Sequence, residues 1–254
     1  MAGWLVVVAA GAAAEASRRP AHAGFILPPD QTQIISSTTL SGFSRGFDAS
    51  GRIRRAATFS KTTLETTLER GWSRETMLVA RIGREELRPE FADDPAYNRS
   101  WSLMAGARHA IGAHGPWRFS AQAMAGYGSN LDRRGFMGDA RLIVARDLAI
   151  AGLPAFVEIQ AGYRHGGGVE RNELRLDATL GLHLGENWLG LAQLFGAHAP
   201  GAPGQPASWR VKAALGLVWK VSERWSVQLG GFTTPAGVNA GLESGVTFAV
   251  WRRF

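Results

Sequence analysis

Residues 173–184 read Glu-Leu-Arg-Leu-Asp-Ala-Thr-Leu-Gly-Leu-His-Leu, and their spacing decides the fold class. Leu174, Leu176, Ala178, Leu180, Leu182 and Leu184 take the even positions, while Glu173, Arg175, Asp177, Thr179 and His183 take odd ones. Side chains of a strand point alternately to its two faces, so this segment carries one apolar and one charged face. The same period returns on both sides of it. Trp209, Val211, Ala213, Leu215, Leu217 and Trp219 alternate with Arg210, Lys212, Gly216 and Lys220. Upstream, Val157, Ile159, Ala161 and Tyr163 alternate with Glu158, Gln160 and Arg164. Phe119, Ala121, Ala123 and Tyr127 alternate with Arg118, Ser120 and Gln122, and Leu64 and Leu68 oppose Lys61, Glu65 and Glu69. No stripe at the helical period competes with these.

The connections come in two lengths. Short turns fall around 70–74, 113–116, 149–154, 184–187 and 222–224, and Trp72, Trp117, Trp188 and Trp225 stand in or beside four of them. Longer polar loops lie near 45–54, 84–99, 129–137, 165–172, 197–207 and 234–240. Tight turns at one end, longer loops at the other and an aromatic girdle along the turn line describe a bacterial transmembrane β-barrel. Strands are expected near 31–44, 55–70, 76–84, 99–112, 117–128, 138–148, 155–165, 171–184, 188–197, 208–221, 225–233 and 241–254. That is an up-and-down antiparallel barrel of about twelve strands, with both termini at the short-turn, periplasmic end. In the last strand Leu242, Val246, Phe248 and Val250 alternate towards a terminal Phe254, interrupted by Arg252. An aromatic C-terminus of this kind is the signal that the barrel-assembly machinery reads.

A soluble sandwich also alternates, but it turns its apolar face inward and its charges to water. With charges outward, so many strands would enclose a wide apolar space that this mixture of Ala, Gly and Leu cannot fill densely. With charges inward, a belt of Leu, Ala, Val and Trp faces out, and only lipid stabilises that. Closure then satisfies every backbone hydrogen bond in the bilayer. After residue 24 no apolar run reaches the ~20 residues of a transmembrane helix. The stretch Trp4–Ala14 has instead the length of a signal-peptide core, and Ala21-His22-Ala23 the small-x-small pattern of a cleavage site. Residues 1–23 are therefore expected to be a leader and residues 24–254 the barrel, although Arg18 and Arg19 lie in the cleavage region.

The predicted lumen face carries Glu65, Glu69, Arg81, Arg108, Arg118 and Gln122 on the first half of the chain. Asp139, Arg141, Glu158, Gln160, Arg164, Glu173, Arg175, Asp177, Arg210, Lys212 and Glu243 follow. Such mixed signs suggest ion pairs between neighbouring strands, for example Arg164 with Glu173. The pairs either brace a closed barrel, since buried charges need partners, or line a water-filled path that selects solutes. Transport of a small solute and a closed structural or surface-binding barrel both fit, and an outer-membrane enzyme is a further alternative.

For an enzyme the signals are poor. The histidines of the expected barrel, His109, His114, His165, His183 and His198, stand in no Ser–His motif, and Ser129-Asn130 has no histidine at suitable spacing before it. The chain has no cysteine, which leaves neither a disulfide framework nor a thiolate metal site. Asp93-Asp94 reads as an exposed acidic turn and Gly166–Gly168 as flexible loop, so no cofactor or metal is expected. Lys and Arg total 28 against 21 acidic residues, yet both signs alternate along the same segments, which offers nucleic acid no basic face. Arg52, Arg54, Arg55, Arg133 and Arg134 fall at outer-surface positions, where they either meet lipopolysaccharide phosphates or are simply solvated.

Several short motifs carry a resemblance. Phe47-Asp48-x-x-Gly51-Arg52, Lys61, Glu69-x-Gly71-Trp72, Gly162-Tyr163-Arg164, Glu173-x-Arg175-x-Asp177 and Phe254 run along most of the expected barrel. In these the chain is similar to proteobacterial outer-membrane proteins grouped with meta-pathway phenol degradation. The resemblance implies a barrel engaged in solute uptake, and it carries over no catalytic residue.

Overall fold

The computed structural model describes residues 26–89, 98–130 and 133–254. The expected leader over 1–23, the mature start at Gly24 and Asp93-Asp94 lie outside them. The strands are β1 (Thr32–Phe47), β2 (Ile53–Gly71), β3 (Thr76–Pro89), β4 (Asn98–His114), β5 (Trp117–Asn130), β6 (Arg133–Ile150) and β7 (Leu153–His165). They continue as β8 (Glu173–His183), β9 (Trp188–Ala199), β10 (Ser208–Lys220), β11 (Trp225–Val238), β12 (Ala240–Gly241) and β13 (Ser244–Arg253).

Each wall strand pairs antiparallel with its neighbours in sequence, and β1 also pairs with β13, which closes the sheet into a ring. The two residues of β12 pair with the far end of β1, so β12 and β13 form one wall strand broken at Leu242 and Glu243. The wall therefore has twelve strands. The faces are those of a membrane barrel. Leu174 and Leu176 are 55% and 59% exposed, whereas Glu173, Arg175 and Asp177 are 7%, 8% and 3% exposed. Leu215, Leu229, Leu142 and Ile82 lie bare on the outer face in the same way, an apolar band that water would not tolerate.

Several strands run further than the alternation foretold. β5 reaches Asn130 and β6 begins at Arg133, so most of the loop expected over 129–137 is strand. β3 extends to Pro89, and β11 runs through most of the loop expected over 234–240. In these stretches the alternation fades while backbone pairing continues, as in Ser129 opposite Arg134. Pro235 is tolerated within β11 because the register with β10 shifts there, between Val211 and Ala213.

Two local devices shape the ends. Between β1 and β2 the Asp48 carboxylate accepts hydrogen bonds from Ser50 N, Ser50 Oγ, Arg52 N and Arg54 Nε. These donors hold its pKa well below the usual carboxylate range. Gly51 takes the left-handed conformation that the turn needs (φ 77°), so the Phe47–Arg52 motif is turn chemistry. At the opposite end, Gln31 N donates to Pro28 O at 3.1 Å across a turn with Asp30 at φ 67°. This turn folds Leu27 inward against Met77, Val79, Met104, Met124 and Met137. A Cβ on Gly71 would lie 1.9 Å from the Pro28 carbonyl oxygen, so only glycine allows the segment to pass there.

Candidate functional site

Inward-pointing residues of the ring divide into three zones. The first is a lattice of buried ions. Asp139 accepts from Arg141 Nε at 2.7 Å and from Arg164 Nε at 3.1 Å. Arg141 Nη1 also reaches Gln160 Oε1 and Asp177 Oδ2, each at 3.0 Å. Asp139, Arg164 and Glu173 stand side by side in one row across β6, β7 and β8. The expected Arg164–Glu173 pair is nonetheless not the contact made. Arg164 turns to Asp139, while Glu173 accepts from Arg175 on its own strand and from Arg210 Nη2, each at 2.9 Å. Two of these contacts, Arg141–Asp177 and Arg210–Glu173, reach past the nearest strand, because inward side chains converge across a curved wall.

A second cluster joins Glu243, in the break between β12 and β13, to Lys61 and Lys212 at 2.5 and 2.6 Å. Ser41 Oγ donates to the same carboxylate at 2.7 Å, and Glu85 lies 3.9 Å from Lys61. On the β2–β4 side Glu65 sits 3.7 Å from Arg81, Gln33 donates to Glu69 at 3.4 Å, and Arg108 donates twice to Gln122 Oε1. Glu158 accepts from Gln160 at 2.7 Å. Arg118 differs from the rest. Its side chain is 43% exposed at the short-turn rim, paired with Asp147 at 3.0 Å, because strand phase sets which face a residue takes but not its depth.

The second zone is apolar and had no forewarning in the pattern. Ile35, Ala145, Phe156, Leu189, Leu191, Val218, Ala249 and Trp251 cluster inside the ring near the short-turn end. They occupy inward positions, where the alternation elsewhere places polar residues. Lys61 and Glu85 join the ionic lattice from outside the predicted lumen set. Lys61 shares the phase of Glu65, four residues on, which was the available signal, whereas Glu85 lay beyond the expected end of β3.

The third zone is open. A cavity of about 900 Å³ lies at the long-loop end, between the β7–β8 and β9–β10 loops. Arg171 ties the two loops together, donating to Pro200 O at 2.7 Å, Pro206 O at 2.9 Å and Ser208 Oγ at 3.3 Å. Glu173 and Arg210 border the cavity, and Arg210 also borders a small void that touches Arg175, Asp177 and Lys212.

The four tryptophans of the expected girdle, Trp72, Trp117, Trp188 and Trp225, stand at the short-turn end. Trp188 stacks on Trp219 at 5.8 Å, and Arg146 lies 5.4 Å from the Trp117 ring centroid. Arg252, which breaks the apolar phase of the last strand, sits 4.9 Å from the Trp225 ring and 4.4 Å from that of Phe254. Its guanidinium lies against both rings while the residue stays exposed, which is how a cation is tolerated on an outer face. Trp72 is largely exposed. Among the described residues no group of three or more His, Cys, Asp or Glu side chains could hold a metal ion. His109 meets Thr76 Oγ1 at 2.9 Å, on a pair of exposed side chains.

No protein-family model matches the chain, and no curated protein matches it by sequence. Solved structures do match in shape. The chain is similar to the COG4313 outer membrane channel from Pseudomonas putida F1, with a TM-score of 0.68 and 10% identity, over 90% of this chain and 97% of that one. It is also similar to the beta domain of the Bordetella autotransporter BrkA (TM-score 0.55, 13% identity, 89% of this chain and 100% of that one). A third is the KdgM porin in complex with disordered oligogalacturonate (TM-score 0.52, 8% identity, 87% and 99%). At such identities the likeness is one of fold: the closed barrel of outer-membrane proteins.

Proposed function

We propose that this chain is an outer-membrane channel that passes small polar solutes, its inward charges forming the wall of the path. The observation that carries the reading is the 900 Å³ cavity at the long-loop end, whose bordering charges continue into the ionic lattice. Ions held in pairs around the inside of a ring give a solute polar surface to follow. In this reading residues 1–23 are a leader, the long loops face the exterior, and Trp72, Trp117, Trp188 and Trp225 mark the periplasmic membrane boundary. Phe254 is the signal for the assembly machinery, and the outer face meets lipid and lipopolysaccharide. The likeness to the phenol-degradation group supports uptake rather than chemistry, and no residue is assigned a catalytic role.

A second reading is favoured by a specific observation. The side chains of Asp139, Arg141, Arg164 and Asp177 are only 1–4% exposed, as in a brace that fills the ring. Single-channel conductance of refolded Gly24–Phe254 in a planar bilayer separates the two. Discrete conductance steps are expected for a channel. A folded barrel that stays silent hands the lead to a closed structural or surface-binding barrel.

A further inference from the structure

The long-loop cavity has the size of a small-molecule site, and its polar groups are unequal in what they have left to offer. Arg171, on the β7–β8 loop, spends its guanidinium on two carbonyls of the β9–β10 loop and on Ser208, so it frames the cavity. Arg210 is held differently. It meets one oxygen of Glu173, Oε1, while Arg175 holds the other, Oε2. Releasing Arg210 therefore leaves Glu173 with a cationic partner. A second, independent feature borders the same cavity from β5. Asn130 donates through Nδ2 to Val169 O at 3.4 Å, but its buried Oδ1 has no hydrogen-bond partner. A buried acceptor without a donor is costly, and a hydroxyl on a bound molecule would supply one.

The charge around this space leans positive. Arg133, Arg171 and Arg210 face Glu170 and Glu173 in the cavity, and the void below adds Arg175 and Lys212 against Asp177. An entering cation would have to draw Glu173 from two arginines. An entering carboxylate need only replace Glu173 Oε1 on Arg210, exchanging like for like at a guanidinium fork.

We infer that the cavity binds a small hydroxylated carboxylate, with Arg210 taking its carboxylate and Asn130 Oδ1 accepting a hydroxyl. As a step in passage the inference rests on the channel reading, whereas the binding itself does not. The site names the class of solute that the channel would collect: an organic anion with hydroxyls beside its charge.

The test is calorimetric titration of the folded barrel, Gly24–Phe254 in detergent micelles, with gluconate and with the uncharged polyol sorbitol. Saturable binding of gluconate and none of sorbitol is expected. Arg210→Gln should weaken gluconate by about tenfold or more, the worth of one charge-assisted hydrogen bond. Arg118→Gln, at the far rim, should leave it unchanged. Should Arg210→Gln fail to fold, Arg133→Gln, on the cavity rim, is expected to weaken gluconate in the same direction. Equal heats from gluconate and sorbitol overturn the site, as does undiminished gluconate binding by folded Arg210→Gln or, in its place, folded Arg133→Gln. A barrel that binds gluconate but never conducts sinks the channel reading alone. One that conducts but ignores gluconate sinks only the site.

Discussion

The two ends of the barrel's interior are built on opposite principles. At the short-turn end Phe156, Leu191, Val218 and Trp251 interlock into an apolar floor inside a wall whose outer face is apolar too. At the long-loop end Gly- and Pro-containing loops surround a cavity, and one guanidinium, that of Arg171, ties them together. Close packing holds a position through many weak contacts at once, whereas a loop rim depends on a few hydrogen bonds. Stiffness therefore belongs to the floor and adaptability to the mouth. On the channel reading, a solute admitted at the mouth meets its firmest obstacle at the floor.

The contrast can be broken by substitutions of decreasing severity. Trp251→Ala removes the largest side chain of the floor and should cost about 3–5 kcal/mol of stability. It should shift the urea midpoint of the folded form downward and enlarge the single-channel conductance of the barrel. An unchanged conductance would place the constriction elsewhere, in the ionic lattice. Arg171→Gln loosens the mouth and should cost about 1–2 kcal/mol, since it removes charged hydrogen bonds that are partly open to water. Hydrogen exchange in the 165–172 and 199–207 loops should rise while the strands below keep their protection. A loss as large as that at the floor would show the mouth to be part of the core. Arg118→Gln is the mildest. Its half-exposed pair with Asp147 should be worth about 0–1 kcal/mol, and the same urea titration should barely move.

How much of this was legible depends on the range over which each feature is encoded. Strand positions were, because Leu174, Leu176 and Leu180 declare a face without reference to any other strand. Loop lengths were less so, as β11 shows by running on past Thr233 through Thr234-Pro235-Ala236-Gly237-Val238, where no polar–apolar alternation marks a strand. Of the candidate charges, Asp139, Arg141, Arg164, Glu173 and Asp177 could be placed on a face, but their partners could not. Arg164 and Glu173 stand in register and still bond elsewhere, because the choice rests on Asp139 and Arg210 arriving from β6 and β10.

By itself the sequence determined a membrane barrel: a period of two with its charges in phase, and short turns opposed to long loops along a run of hairpins. These are properties of single strands and hairpins, readable because side-chain direction repeats with the backbone. Only the tertiary structure decided what fills the ring. Closure of β1 on β13, the curvature of the wall and the inward turn at Pro28–Gln31 bring together residues hundreds of positions apart, such as Ile35 with Trp251 and Ser41 with Glu243. The floor, the ion partners and the cavity are products of that convergence, and no local pattern encodes a distance between strands that are not neighbours.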